Sequence, residues 1–330
     1  MASWRLYCPK CGWEGAGEEY YHKCPRCGAP LEIRGTIPRP ARPVLGEGHT
    51  PLVEYSGVLY KLEYLNPTGS FKDRGVSLSL YIAKDLDYRC VVEDSSGNTG
   101  LSTAAYAAHF GLRARIHVPQ TSAPSKLTLI KGLGAELVIH PTRREAALAA
   151  ERESEKCFYV AHAYSPIFIE GIKSIAREIR EPLYPIVVPA SSGTLLLAIY
   201  RGFKEAGKKV EIVTVQAAEA ASLEQYITPK AKIGGPTSKL ADALVYKDPP
   251  RIEEMARATD VLVVVGDKAL LKALKRLWRS GFIVEPSSAA VEAAREALGL
   301  NQALLVLTGS GLKTPGAVEE SEKHLNRVEA

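Results

Sequence analysis

Short apolar runs alternate with helical patterns along most of this 330-residue chain. The runs with the length and β-branched content of strands are LVEYS, VLYKLEYL, CVVEDSS, ARIHVP, AELVIH, IVVPA, EIVTVQ, VLVVVG and ALLVLTG. Between them lie helical stretches such as LSTAAYAAHFGL, REAALAAERESEK, KALLKALKRLWRSG and SSAAVEAAREALG. Several strands are apolar on both faces, as expected for a parallel sheet that helices cover on both sides. The pattern therefore predicts a doubly wound α/β fold.

Composition and charge restrict the possible functions. The 46% apolar and 24% charged residues are those of an ordinary globular protein. No apolar run approaches the ~18 residues of a membrane-spanning helix, and residues 1–12 lack the apolar core of a signal peptide. A net charge of +5 without a basic stripe is too weak for nucleic-acid binding. We therefore predict a cytoplasmic protein without membrane or nucleic-acid partners. The chain has only four Asn, four Gln and two Met. Such a low content of heat-labile residues is typical of proteins from thermophiles.

Four of the six cysteines form two Cys-x2-Cys pairs, Cys8 with Cys11 and Cys24 with Cys27, separated by twelve residues. A glycine after each pair lets the backbone turn its amides towards the sulfur atoms. Two such pairs can complete a tetrahedral zinc site. The alternative, two disulfide bonds, is disfavoured by a cytoplasmic location. Because four cysteines leave no open coordination position, we predict a structural zinc in a ribbon over residues 1–34.

Cys90 and Cys157 lie outside this pattern. Both occur in apolar, strand-like stretches, RCVVE and KCFYV. Because buried free cysteines behave as small apolar residues, we predict two free thiols in the core.

Residues 66–75, with the sequence NPTGSFKDRG, follow a predicted strand and lead into a helix. Ser70 can cap this helix, which we expect to begin near Lys72. A cation in the first turn opposes the helix dipole, so helix stability does not explain this lysine. The same field favours the neutral amine that Schiff-base chemistry requires. The alternative is a solvated surface lysine, which the other loops argue against.

Three further loops follow predicted strands and carry small or hydroxyl-bearing residues. Residues 94–100 (DSSGNTG) place hydroxyls and amides at the start of a helix. Such groups can bind a carboxylate or a phosphate. The alternative is that they form an ordinary helix cap. Residues 189–194 (PASSGT) have the composition of an anion-binding turn. Residues 307–313 (LTGSGLK) would direct the Thr308 hydroxyl at a ligand. Plain turns are the alternative for the last two. Since doubly wound folds bind ligands in such loops, the four together predict one cofactor site.

Together these motifs resemble the fold-type II family of enzymes that use pyridoxal 5′-phosphate (PLP), and within it most closely the threonine synthases. The segments NPTGSFKDRG and TGSGLKTP are similar to signature segments of that family, and KLADA (239–243) and EPSSAA (285–290) also fit. Many threonine synthases begin with a four-cysteine zinc ribbon. The resemblance covers essentially the whole chain. It implies a tryptophan synthase β-like fold with two doubly wound domains.

The resemblance also implies roles for individual residues. Lys72 would carry PLP as a Schiff base and act as the catalytic residue. Asn98 would hydrogen-bond the ring oxygen, and Thr308 would meet the pyridine nitrogen. Backbone amides of five residues would bind the cofactor phosphate: Ala190, Ser191, Ser192, Gly193 and Thr194. The residues expected to bind the substrate carboxylate are Ser95, Ser96 and Thr99.

For a threonine synthase the substrate is O-phosphohomoserine. Lys72 would move protons at Cα and Cβ, phosphate would leave from Cγ, and water would add at Cβ to give threonine. The ring supplies the electron sink, while the protein supplies orientation and a dry site. The resemblance therefore implies a carbon–oxygen lyase of amino-acid biosynthesis.

Two segments depart from the pattern of these relatives. Their cofactor-phosphate turn commonly reads GNxGN, whereas residues 190–194 read ASSGT, a hydroxyl-rich turn that can still bind phosphate. The relatives also tend to have P-x-R-x-E-G, in which the arginine holds the substrate phosphate. This chain has Phe168 at the arginine position, and phenylalanine cannot pair with a dianion. Either Lys126 or Arg74 replaces that cation, or the substrate carries no phosphate there.

Two alternatives remain. The chain could be a threonine/serine dehydratase, or a cysteine or cysteate synthase that uses O-phosphoserine. It could also be a non-catalytic paralogue that acts through its zinc ribbon, although the presence of Lys72, Asn98 and Thr308 argues against this.

The domain organisation follows the same resemblance. We expect a zinc ribbon over residues 1–34, a large PLP-binding domain over 35–87 and 168–330, and a small α/β domain over 88–167. The Gly- and Pro-rich stretch at 41–51 is typical of a linker. Since the family is usually dimeric, we also expect a homodimer.

Overall fold

The computed structural model describes residues 4–17, 19–122, 124–180 and 184–329, with side chains as far as residue 325. Residues 1–3 and 18 of the predicted ribbon lie outside the described residues. The chain divides into two compact units. Unit 1 comprises Met1–Gly48 and Lys72–Ile172, and unit 2 comprises His49–Phe71 and Lys173–Ala330. The predicted limits of the ribbon and of the two domains stay predictions.

Strands and helices are numbered along the chain. The strands are β1 (Trp4–Tyr7), β2 (Glu32–Gly35), β3 (Leu52–Tyr55), β4 (Val58–Lys61), β5 (Cys90–Glu93), β6 (Arg113–Pro119), β7 (Glu136–His140), β8 (Phe158–Tyr159), β9 (Ile186–Pro189), β10 (Ile212–Ala217), β11 (Ala231–Ile233), β12 (Val261–Val265) and β13 (Leu304–Val306). The helices are α1 (Lys72–Asp85), α2 (Asn98–Phe110), α3 (Pro124–Gly132), α4 (Arg143–Glu153), α5 (Pro166–Ile172), α6 (Ser174–Glu178), α7 (Thr194–Glu205), α8 (Ile252–Arg257), α9 (Asp267–Arg279), α10 (Pro286–Leu298) and α11 (Ala317–Glu329).

Unit 1 contains a parallel sheet with the strand order β7-β6-β5-β8. All four residues of β5 are buried, as expected for a central strand covered on both faces. The chain passes from each strand to the next through α2, α3 and α4 in turn, which is how parallel neighbours are normally connected. The predicted doubly wound α/β architecture is therefore confirmed for this unit.

Helices α1 and α5 of unit 1 pack closely because each has a glycine at the contact. A Cβ atom at Gly75 would lie only 2.8 Å from ring atoms of Phe168, and one at Gly171 would collide with the carbonyl oxygen of Arg74. Phe168 is fully buried by this contact. The aromatic ring thus takes the volume that a side chain at position 75 would otherwise need.

The N-terminal segment of unit 1 packs on the edge strand of the parallel sheet. Its strands β1 and β2 form an antiparallel pair. Tyr20 stacks on Phe158 of β8 with ring centroids 3.9 Å apart, and its hydroxyl donates to the carbonyl oxygen of Tyr159 at 2.9 Å. Lys23 forms an ion pair with Glu151 of α4. The segment is therefore anchored on β8 and on α4.

Cys90 and Cys157 form a disulfide bond. The prediction of two free core thiols is wrong because β5 and β8 are parallel neighbours. Val91 is paired with Phe158, so the residues before them are adjacent as well, and the Cα atoms of the two cysteines lie 4.8 Å apart. This separation falls within the usual range for a disulfide.

Unit 2 contains a larger sheet with the strand order β11-β12-β10-β9-β13-β4-β3. Its strands are parallel except for β3, which pairs with β4 in antiparallel fashion. Helix α10 packs against the sheet and against α9, and its first nine residues are buried. The predicted strands correspond to β3–β7, β9, β10, β12 and β13, and β8 lies in the strand-like stretch KCFYV, whereas the short β1, β2 and β11 were missed.

Among the described residues, no helix is both long enough and apolar enough to cross a membrane.

Reduction of the Cys90–Cys157 bond should lower the free energy of unfolding by about 2–4 kcal/mol, because it restores the freedom of a long loop in the unfolded chain. The measurement is the midpoint of thermal unfolding with and without reductant. The double variant Cys90→Ala/Cys157→Ala is the control, and its midpoint should not respond to reductant. An equal response in both proteins would contradict the prediction, since it would come from the other cysteines.

Candidate active site

In unit 1, Lys72 is the first residue of α1, as predicted. Its side chain is half-buried, and the Nζ atom lies 5.6 Å from the ring centroid of Phe168. An ammonium group at this distance from an aromatic face is attracted to it. Ser70 does not cap α1, contrary to the prediction. Its hydroxyl is buried without a hydrogen-bond partner among the described residues. Lys72 thus lies at the start of a helix, next to the aromatic ring of Phe168.

The loop that contains Ser95 and Ser96 leads into α2, which begins at Asn98. Gly97 occupies the N-cap position and provides no side-chain cap. The Ser95 hydroxyl accepts from the amide of Gly97 at 3.3 Å, which keeps the loop turned tightly onto the helix. Because no side chain caps the helix, its first amides, including that of Thr99, can bind an anion.

A buried acid and an imidazole, which the sequence analysis missed, lie at the carboxyl ends of β5 and β8. Glu93 is fully buried, and its Oε1 atom lies 2.7 Å from Nδ1 of His162. Burial raises the pKa of the Glu93 carboxyl to about 8, although the charge of Lys72 acts to lower it. Burial lowers the pKa of His162 to about 3. The signal in the sequence was the single charged residue that ends the apolar run CVVE.

Both cations proposed to replace the missing arginine belong to unit 1. Lys126 lies near the start of α3 and is 5% exposed, and Arg74 lies in the first turn of α1 and is 3% exposed. Burial of this degree is unusual for Lys and Arg unless their charges are compensated. Either side chain is therefore a buried, partnered cation and not a solvated surface group.

In unit 2, residues 190–194 connect β9 to α7. Gly193 has a φ of +87°, and a Cβ atom there would collide with Met255, so only glycine fits. Helix α7 begins at Thr194 without a side-chain cap. In the described part of the chain no acceptor is found for the amides of residues 191–194. These amides and the helix dipole suit a phosphate group.

Ala190 departs from the predicted set. Its amide donates to the carbonyl oxygen of Val215 at 2.8 Å and continues the ladder between β9 and β10. It therefore cannot also donate to a phosphate, which is a correction to that residue. The hydroxyl of Ser191 accepts a hydrogen bond from the amide of Tyr246 at 3.1 Å. This bond ties the turn at residues 190–194 to the segment that contains Tyr246.

Thr308 of unit 2 lies two residues beyond β13. Its amide donates to the Ser288 hydroxyl at 2.8 Å, and its carbonyl oxygen accepts from the amide of Phe71 at 3.1 Å. A Cβ atom at Gly309 would overlap the carboxylate of Glu285. Thr308 is thus held by its backbone next to a buried acid, whose role the sequence analysis did not identify.

The four N-terminal cysteines come together as predicted. Their sulfur atoms all lie within 4.8 Å of one another. Cys8 and Cys27 are 3.6 Å apart at Sγ, and so are Cys11 and Cys24. Four convergent thiols at this spacing fit a tetrahedral zinc ion.

The described residues also fit the expected cofactor. Unit 2 provides amides without acceptors at the start of α7 and a buried hydroxyl on Ser70 without a partner. Unit 1 provides Lys72 and the uncapped amides of α2. Each set taken by itself suits part of the cofactor: the amides of unit 2 suit its phosphate group, and the Lys72 amine of unit 1 suits its aldehyde.

The chain is similar to known proteins over most of its length. Residues 44–309 match the model of the family described as "Pyridoxal-phosphate dependent enzyme". Threonine synthase of Bacillus sp. (strain ULM1) is 31% identical in an alignment of 308 positions that covers 82% of this chain and 85% of the relative. Threonine synthase of Synechocystis sp. is 31% identical in an alignment of 339 positions, gaps included, that covers 90% of this chain and 88% of the relative. The predicted resemblance is confirmed.

Solved structures show the same fold. O-ureido-L-serine synthase superposes with a TM-score of 0.72 at 22% identity, covering 84% of this chain and 94% of that one. Maize serine racemase gives 0.71 at 21% identity, with 85% and 94% covered. The fold is therefore the fold-type II architecture that the sequence analysis predicted. By its match over residues 44–309 and by these relatives, the chain belongs to the family of pyridoxal-phosphate dependent enzymes.

Proposed function

We propose that the protein is a PLP-dependent threonine synthase, which converts O-phosphohomoserine and water to threonine and phosphate. The likeness of about 30% identity to threonine synthases over most of the chain carries this proposal. The reaction would be that of a carbon–oxygen lyase acting on an amino acid. Bound PLP would supply the electron sink for removal of a proton from Cα.

The residues of the chain would divide the remaining work. The Lys72 amine would hold the cofactor and carry protons at Cα and Cβ of the substrate. The amides of residues 191–194 would bind the cofactor phosphate. Asn98 would donate to the ring oxygen, and Thr308 would meet the ring nitrogen. A neutral hydroxyl there would leave that nitrogen unprotonated, which agrees with elimination and replacement chemistry.

Binding of the substrate would use the start of α2. The uncapped amides and the hydroxyls of Ser95, Ser96 and Thr99 are suited to the amino-acid carboxylate. The substrate phosphate would be paired with Lys126, since the ring of Phe168 cannot bind an anion. Arg74, which is also buried in unit 1, is the other candidate cation.

Phe168 supports a second candidate function. The ring is fully buried and packs on Gly75 next to Lys72, so the neighbourhood of the lysine is apolar at the position where relatives tend to have an arginine. An unphosphorylated or shorter substrate would suit such a site. The alternative is then a threonine/serine dehydratase, or a cysteine or cysteate synthase that uses O-phosphoserine.

We also propose that the four cysteines hold a structural zinc ion and that the protein is a homodimer in the cytoplasm of a thermophile. Convergence of the sulfur atoms within 4.8 Å supports the zinc. The resemblance to a usually dimeric family supports the dimer, and the shortage of Asn, Gln and Met supports the thermophilic origin. We propose no nucleic-acid or membrane partner.

Replacement of the proposed cofactor lysine should abolish covalent cofactor attachment. Borohydride reduction of the PLP-loaded protein, followed by peptide mapping, should label Lys72. The variant Lys72→Ala should carry no label and lose activity by on the order of 10³-fold or more. Lys84→Ala is the matched control, since Lys84 is an exposed lysine at the other end of α1. A label that persists in Lys72→Ala would refute the assignment.

Incubation of the loaded enzyme with O-phosphohomoserine should release phosphate and form threonine in equal amounts, measured by a phosphate assay and amino-acid analysis. If only serine, threonine or O-phosphoserine is consumed, the second candidate function is correct. Lys126→Met should raise KM for the phosphorylated substrate by about 10- to 100-fold, because it removes a charge-assisted hydrogen bond. The exposed Lys131 of the same helix provides the control variant Lys131→Met.

Metal analysis of the purified protein should find one zinc ion per chain. Cys24→Ser should lose the metal and lower the midpoint of thermal unfolding, since metal binding and folding of a short segment are coupled. The double variant Cys90→Ala/Cys157→Ala should keep the metal, because its two cysteines form the separate disulfide. Zinc that is retained in Cys24→Ser would exclude the four-cysteine site.

A further inference from the structure

Glu93 is a fully buried carboxylate of unit 1 with one oxygen atom that lacks a partner. Its Oε1 atom lies 2.7 Å from Nδ1 of His162, whereas Oε2 has no hydrogen-bond partner among the described residues. In the same part of the chain, neither Glu93 nor the adjacent Asp94 forms an ion pair with a lysine or an arginine. A buried carboxylate without such a counterion either becomes neutral or coordinates a metal ion.

Three side chains with metal-binding atoms converge at this position. Glu93, Asp94 and His162 each offer one ligand atom, and these atoms lie within 4.8 Å of one another. The Tyr159 hydroxyl donates to Oδ1 of Asp94 at 2.9 Å, which holds this carboxylate in place. Two ligand atoms of one cation are about 3 Å apart, since each lies about 2.1 Å from it. The 2.7 Å between Glu93 and His162 is close to that spacing.

The pairing of β5 with β8 brings the three residues together. Because the two strands are parallel neighbours, their carboxyl ends meet at the same edge of the sheet. Glu93 is the last residue of β5, Asp94 follows it, and His162 comes shortly after β8. Between β8 and His162 the backbone turns at Ala161, whose φ of +44° is uncommon for a residue other than glycine. The ligand set thus comes entirely from unit 1.

Two carboxylates and one imidazole form an oxygen-rich ligand set. Such a set suits Mn²⁺, whereas thiolate sets such as that of the four N-terminal cysteines select zinc. We propose that Glu93, Asp94 and His162 bind a divalent cation of the Mn²⁺ type, with Oε2 of Glu93 among the ligand atoms. Three protein ligands leave further coordination positions for water. The site uses neither Lys72 nor PLP, so it goes beyond the proposed function.

A bound cation removes the electrostatic cost of two adjacent acids. Glu93 and Asp94 together carry two negative charges when they are ionised, and one divalent cation balances both. Coordination through Nδ1 of His162 places the imidazole proton on Nε2 and keeps the ring neutral. Since the unfolded chain does not hold the three ligands together, the cation stabilises the folded state.

Manganese titration of the full-length, zinc-loaded protein tests this site. Free Mn²⁺ gives an electron paramagnetic resonance signal, and the loss of this signal on binding counts the sites. We expect one Mn²⁺ per chain and a midpoint of thermal unfolding that rises with the Mn²⁺ concentration. The spin-echo spectrum of the bound ion should show coupling to a nitrogen atom, which indicates a coordinated imidazole.

Matched variants identify the ligands. Glu93→Gln keeps the size of the side chain and removes its charge, whereas His162→Gln removes the imidazole. Each should weaken Mn²⁺ binding by at least about 10-fold, and His162→Gln should also lose the nitrogen coupling. The controls are Glu155→Gln, at an exposed acid of unit 1, and His140→Gln, at another histidine of unit 1. Both controls should bind Mn²⁺ as the unmodified chain does.

No binding of Mn²⁺, or equal affinity in Glu93→Gln, would overturn the inference, because the acids are then neutral or the binding is adventitious. If Glu93→Gln does not fold, Asp94→Asn and His162→Gln decide by the same criterion. Release of one zinc ion for each Mn²⁺ bound would also overturn it, since the manganese would then occupy the cysteine site. Borohydride labelling of Lys72 tests the proposed function separately.

Discussion

The pairing of β5 with β8 is the interaction on which much of unit 1 depends. Because the strands are parallel and in register, residues before them meet at one edge of the sheet and residues after them at the other. The first edge holds the Cys90–Cys157 bond, and the second brings Glu93 to His162. One two-residue strand thus determines both a covalent link and a buried ionisable pair.

Much of the fold could be predicted from the sequence because it is built from long, strongly patterned elements. The apolar runs of β9, β10 and β12 and the start of α1 at Lys72 were visible without coordinates. The disulfide was not, because it depends on the pairing of β8, which is two residues long and gives no periodic signal. Long-range register is a property of the packed sheet.

The candidate site could be predicted only in part, because local motifs reveal some of its residues while others become apparent only from long-range contacts. Loop motifs identified Lys72, Asn98 and residues 191–194, since glycines and hydroxyls stand out in the sequence. The Ala190 amide was assigned wrongly because its donation to Val215 continues a strand ladder that no local motif reveals. His162 was missed because a lone histidine acquires meaning only from the buried carboxylate that it meets.

The N-terminal segment of unit 1 contacts the sheet at its edge strand β8. β8 is the last strand of its sheet, and the Tyr20 hydroxyl donates to the carbonyl oxygen of Tyr159 in it. Open strand edges are templates for intermolecular pairing and aggregation. Tyr20 occupies one carbonyl oxygen of this edge and stacks on Phe158, so the cysteine-bearing segment takes up part of an edge at which another strand could otherwise pair.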